Sequence, residues 1–173
     1  MTLHGTTTGR YGSPHRTQTL AGATLVFYPA DKGADVSRWG WRSIPELPDG
    51  EVGRAVVQDD GRYTLDLDHD VRTFLVAAEV ARLAYAPDTG TTALGLLGTG
   101  VVGGEAPHTL SIDLPARDYC DLLRALDLWL VAGRASDCGQ PVTPAAGAAV
   151  TVFDRDLTQD DALGTDVADV GGS

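Results

Sequence analysis

Four aspartates late in the sequence, Asp154, Asp156, Asp160 and Asp161, form an acidic loop of hard oxygen ligands. Carboxylates clustered in one loop are candidates for Ca²⁺, which prefers oxygen donors. An EF-hand counted from Asp154 needs Gly at its sixth place and Glu at its twelfth, where Gln159 and Thr165 stand. A solvated turn between two strands accounts for the same residues. Asp66, Asp68 and Asp70 alternate around His69, and Asp66 and Asp68 share one strand face, so a carboxylate pair for acid–base work is geometrically possible. The polar face of an amphipathic strand explains them equally. His4, His15, His69 and His108 are scattered singles without zinc-ligand spacing.

Gly98-Thr99-Gly100-Val101-Val102-Gly103 matches the G-x-G-x-x-G dinucleotide fingerprint in letters only. That motif works where a strand turns into a helix whose N-terminus faces pyrophosphate. Here Gly104-Glu105-Ala106-Pro107 follows and then a strand, which predicts a loop or a glycine-rich edge strand. No G-x-S-x-G nucleophile elbow occurs. With no convergent nucleophile, base or metal set, the expectation is a protein that is not an enzyme and carries no cofactor. Trp39-Gly40-Trp41-Arg42 lies in a long loop, roughly 32–52. Exposed Trp and Arg anchor protein interfaces, and stacked Trp also holds sugar rings. Trp39, Trp41 and Arg42 are therefore the candidate contact residues, although either Trp would serve as well to cap a sandwich core.

The elements that would position these residues are strands. In Arg62–Asp68 the residues Tyr63, Leu65 and Leu67 fall on one face, and in Thr109–Leu114 Leu110, Ile112 and Leu114 do so. Phe74–Val80 is apolar on both faces and reads as a buried strand, and Asp60-Gly61 signals a turn before Tyr63. After Pro115, the spacing of Tyr119, Leu122, Leu123 and Leu126 predicts one amphipathic helix over 116–127.

A chain of 173 residues with 43% hydrophobic residues can bury a core, and 21 Gly with 9 Pro suit many turns. The net charge of −11 argues against a nucleic-acid partner. It fits either GC-rich coding or a surface adapted to salt. No apolar run is long enough to span a bilayer as a helix, and the first residues lack a charged segment followed by an apolar one. The expectation is synthesis in the cytoplasm, with export as part of an assembly left open. Cys120 and Cys138 are too few for a disulfide framework, as free thiols or as one bridge.

An internal repeat divides the chain. Ala21-Gly22-Ala23-Thr24-Leu25-Val26-Phe27-Tyr28 is echoed by Ala146-Gly147-Ala148-Ala149-Val150-Thr151-Val152-Phe153, each followed three residues later by an Asp. Gly9-Arg10 answers to Gly133-Arg134, and the spacing of Gly53 and Gly61 recurs in Gly164 and Gly172. The first copy continues into Tyr63–Leu67, whereas the second stops at Gly172-Ser173. Val150, Val152 and Phe153 then belong to a sheet that needs covering: by strands beyond 173 in a longer chain, by a partner chain, or by the first domain.

Leu130-Val131-Ala132-Gly133-Arg134-Ala135-Ser136-Asp137, Gly139-Gln140-Pro141-Val142 and Ala146–Asp154 together resemble the opening strands of the transthyretin-like superfamily, specifically its carboxypeptidase regulatory-like and peptidase-associated domains. Ala21–Tyr28 and Asp60–Leu65 match more loosely. The resemblance implies an all-β, antiparallel Greek-key β-sandwich in tandem: a complete domain over 1–115, a connector helix over 116–127, and the first half of a second domain over 128–173. Its enzymatic branches fit poorly. The Tyr-Arg-Gly-Ser ending of 5-hydroxyisourate hydrolases is missing, as is the Tyr and His iron set of intradiol dioxygenases. The Lys–Asn crosslink of adhesin domains needs an Asn, and the sequence has none. The functional expectation is a structural or interaction module of a larger surface or secretion-type assembly, with protein partners or further copies. A carbohydrate-binding or adhesin module using Trp39 and Trp41 is the alternative, and a metal-dependent enzyme the third.

Overall fold

The computed structural model describes residues 1–11, 16–30, 40–41, 46–47, 49–67, 71–104, 106–131, 135–136, 143–155 and 160–168, with backbone only for 153–155 and 160–164. They form two compact units, 1–130 and 131–173.

The first unit is a β-sandwich of two sheets. One is centred on β1 (Thr2–Tyr11), whose antiparallel neighbours are β2 (Arg16–Thr19) and β5 (Arg62–Asp66). The other has the order β4 (Gly53–Val56), β3 (Thr24–Pro29), β6 (Thr73–Val80), β7 (Ala93–Val101), all antiparallel. Alternation decides what each strand buries. Tyr63, Leu65 and Leu67 face inward, as their spacing requires, and meet Leu25, Phe27, Phe74, Val76 and Ala78 from the other sheet. Phe27 sits at the centre, with the Tyr63 ring 5.7 Å away and the Phe74 ring edge-on at 5.9 Å. Strand β6 is buried on its second face too, where Leu75 and Ala77 pack with Val26 and Tyr28.

The stretch 109–114 departs from the antiparallel expectation. It is split into β8 (His108–Thr109) and β9 (Ile112–Leu114), and both run parallel to β1. Leu110 and Ser111 interrupt the strand, and the Leu110 carbonyl accepts the Tyr63 hydroxyl. The close fit follows from glycine. On the inward face of β1, a Cβ at Gly5 would strike that carbonyl and the Tyr63 ring, and one at Gly9 would strike the Tyr119 ring. Tyr119 belongs to α1 (Ala116–Ala125), which ends before the expected 127, where Asp127 takes a positive φ of 56°. Tyr119, Leu122, Leu123, Ala125 and Leu126 all join the sandwich core, so the helix is part of the first unit.

In the second unit, β10 (Ala149–Arg155) and β11 (Asp160–Val167) form an antiparallel pair. The pair repeats β3–β4 in register. Thr24, Leu25, Val26 and Phe27 face Val56, Ala55, Arg54 and Gly53, and Ala149, Val150, Thr151 and Val152 face Val167, Asp166, Thr165 and Gly164. The turn ahead of each strand is bonded alike. Gly22 N–H donates to Val57 O at 3.0 Å, and Gly147 N–H to Ala168 O at 2.8 Å. Val57 N–H donates to Ala23 O, and Ala168 N–H to Ala148 O, both at 2.9 Å. Gly22 and Gly147 both hold positive φ, at 91° and 77°, a conformation that favours glycine.

Candidate functional site

The edge of β10 is where the two hairpins part. In the first unit β3 lies between β4 and β6, so both of its edges are bonded. Its counterpart β10 pairs with β11, and no other strand among the described residues pairs with it. Ala168 donating to Ala148 fixes the phase of the ladder. By alternation, Val150 and Val152 turn their N–H and C=O groups toward β11, while Ala149 and Thr151 turn theirs to the open side. The Thr151 and Thr165 hydroxyls, 3.0 Å apart, mark the non-hydrogen-bonded pair that this phase requires. Side chains differ in the same way. Leu25 is 0% exposed, whereas Val150 at the equivalent position is 43% exposed.

The tryptophan loop turns inward where it is described. Trp41 packs on the core, and a Cβ at Gly95 of β7 would lie 2.6 Å from its ring. Trp39 and Arg42 lie outside the described residues. The tryptophan that does stand in solvent is Trp129, 88% exposed, followed by the exposed Leu130 and Val131. Sequence reasoning did not single it out, because an apolar residue beside an apolar run carries no signal of exposure.

Of the calcium candidates, Asp156 lies outside the described residues. Asp154, Asp160 and Asp161 are placed by backbone only, with Asp154 paired to Asp161 and Arg155 to Asp160 in the hairpin. Among the described residues no group of three or more His, Cys, Asp or Glu is gathered in a way that could hold a metal. Asp66 accepts a hydrogen bond from the Thr2 hydroxyl at 2.7 Å, while Asp68, His69 and Asp70 lie outside the described residues. The first four residues of the glycine-rich fingerprint, Gly98 to Val101, end β7, the edge strand of its sheet, with a register shift between Val76 and Ala77 on the neighbouring strand. Cys120 is a free, exposed thiol, and Cys138 lies outside the described residues.

The outer face of β1 carries a ladder of polar pairs. His4 Nδ1 lies 3.1 Å from the Thr64 hydroxyl, and Thr6 and Thr8 donate to Ser111 and Asp113 at 3.1 Å each. Arg10 closes the ladder by pairing with Asp113. Its hydrogen bond holds the Asp113 carboxyl below the ordinary carboxylate range, helped by the one from Thr8. On the inner side, burial pushes the Tyr63, Tyr85 and Tyr119 hydroxyls above the ordinary tyrosine range. Tyr85 and Tyr119 share a 2.6 Å hydroxyl contact beneath α1.

No family model matches the chain, and no curated protein matches it. Among solved structures, the chain is similar to one titled a "putative carbohydrate binding protein" from Pseudomonas aeruginosa. The identity is 17% and the TM-score 0.37, over 65% of this chain and 86% of that one.

Proposed function

We propose that this chain is a non-catalytic structural or interaction module of a larger protein assembly, a Greek-key sandwich of transthyretin-like type followed by strands of a second copy. The observation that carries the reading is the open edge of β10, bonded like β3 on one side and without a described partner on the other. Unpaired edges in native proteins are covered or blunted by charge and proline, because they pair readily with other strands. From Gly147 to Phe153 this edge has neither charge nor proline. The polar pairs along β1 satisfy one another across strands and do not converge on a point where a substrate atom would sit. In the sugar-binding alternative built on Trp39 and Trp41, the Trp41 ring rests on Gly95, which leaves it less open as a stacking platform.

The test is the mass of the chain as it exists in its source cells. Tagged at native expression and examined by native mass spectrometry, it is expected to run well above the mass of its own polypeptide, with a stoichiometric partner. Recovery as a lone polypeptide with turnover on a hydrolase or oxygenase substrate panel contradicts the reading.

A further inference from the structure

Among the described residues, the first and last strands of the first unit lie side by side and run the same way. β1 pairs in parallel with β8, Leu3 opposite His108 and His4 opposite Thr109. It pairs in parallel with β9 too, Thr7 opposite Ile112, Thr8 opposite Asp113 and Gly9 opposite Leu114. Leu110 N–H donates to His4 O on this edge, while Thr7 N–H donates to Gly61 O on the other, both at 2.9 Å. By alternation, Thr8 turns its N–H and C=O toward β9. Side chains bridge the same seam, Thr6 to Ser111, Thr8 to Asp113 and Arg10 to Asp113. The Leu110 carbonyl also lies against Gly5, where a Cβ would strike it.

This arrangement sets how the unit responds to tension along its own chain. A pull ahead of Thr2 draws β1 backwards along its axis, and a pull beyond Leu114 draws β9 forwards. The seam between them is then loaded in shear, so its main-chain and side-chain bonds share the load and yield together. The antiparallel pair β1–β5 behaves differently: Thr2 and Asp66 face each other at one end, so a pull on those two opens the bonds one after another. We infer that the first unit is a load-bearing link, whose parallel seam of β1 with β8 and β9 holds when the chain is pulled from its two ends. The inference rests on the reading of the chain as a module of a larger assembly and names what the module does there, which is to carry tension between the parts joined on either side. α1 follows β9 directly and packs Tyr119, Leu122 and Leu123 into the core, which anchors the far end of the seam.

The test is single-molecule force spectroscopy on the full chain, pulled in two directions. One handle is joined ahead of Met1. The other is attached through Val131→Cys for the first pull and through Asp66→Cys for the second, both exposed positions, in a Cys120→Ser/Cys138→Ser background. Residues 132–173 carry no load in either pull. At equal loading rate, the largest unfolding event of the first pull is expected at a force at least about twofold above that of the second, since forced unfolding reads the unfolding rate and not the equilibrium stability. Equal forces, or a weaker first pull, overturn the inference. Thr8→Pro removes an N–H from the seam and is expected to bring the first pull down toward the second while leaving the second unchanged. A first pull that Thr8→Pro does not weaken places the load elsewhere and also overturns the inference. The comparison of directions needs no change in the seam, so it decides even where Thr8→Pro does not fold. Equal forces in a chain recovered with a stoichiometric partner overturn the load-bearing role alone, whereas a lone polypeptide with turnover overturns the module reading on which it rests.

Discussion

The indole of Trp41 lies on Gly95, so close that a Cβ there would come within 2.6 Å of the ring. Gly95 faces Ala78 across the β6–β7 ladder, and Ala78 is a core residue, so the loop tryptophan seals one side of the sandwich. Gly95→Ala is expected to cost about 1–3 kcal/mol through overpacking. Trp41→Ala is expected to cost about 2–4 kcal/mol, because the ring is only partly buried. Urea unfolding followed by circular dichroism reads both, and unchanged midpoints would place the ring elsewhere.

Gly5 and Gly9 give a graded pair. A Cβ at Gly9 meets a side-chain ring that can shift, whereas one at Gly5 meets the Leu110 backbone carbonyl as well as the Tyr63 ring. Gly5→Ala is therefore expected to be the more damaging, with Gly9→Ala costing about 1–3 kcal/mol. Gly103, whose Cβ would meet nothing within 4 Å, is the control, and Gly103→Ala is expected to stay within about 0.5 kcal/mol of the parent.

Much of this was legible in the sequence. Period-two alternation named the inward residues of β5 and the double-sided burial of β6, because each strand faces a single core. The repeat located the second hairpin to the residue, because turn glycines and strand registers are local features. The parallel pairing of β8 and β9 with β1 was not legible, since a short alternating strand looks the same in either direction. For Trp41 the sequence offered two readings, contact residue or core cap, and could not decide between them, because its neighbour Gly95 lies far along the chain and offers only the absence of a side chain. The exposure of Trp129 was not legible, because an apolar run signals a strand without saying whether its covering layer is present.

Alkaline pH should weaken the first unit. The hydroxyls of Tyr63, Tyr85 and Tyr119 titrate higher in the folded protein than in the unfolded chain, burial being the first cause. The stabilisation tied to their neutral form is complete below about pH 10, the ordinary tyrosine value, and is lost as pH rises above it, since the unfolded state then ionises first. Absorbance of tyrosinate and circular dichroism, followed together from pH 8 to 13, are expected to change in one step for these residues. Ionisation near pH 10 with the fold intact would contradict their burial.

Asp113 works in the opposite direction. Its carboxyl is held low by Arg10 and Thr8, so its contribution is present above the ordinary carboxylate range and fades as pH falls through the lowered value. Both partners are well exposed, and solvent screening keeps the effect small. Asp113→Asn is expected to lower the urea midpoint slightly at pH 7 and to leave it equal to the parent at acid pH. A difference that persists at acid pH would assign the effect to packing.

The most direct measurement of the account is amide exchange in the two hairpins of the free, full chain. Along β3, which is bonded on both sides, Thr24, Leu25, Val26 and Phe27 are all expected to exchange slowly. Along β10 the pattern should alternate, with Val150 and Val152 slow and Ala149 and Thr151 fast. Uniform protection from Ala149 to Val152 in the free monomer would mean that the edge is already occupied within the chain, and would contradict the account.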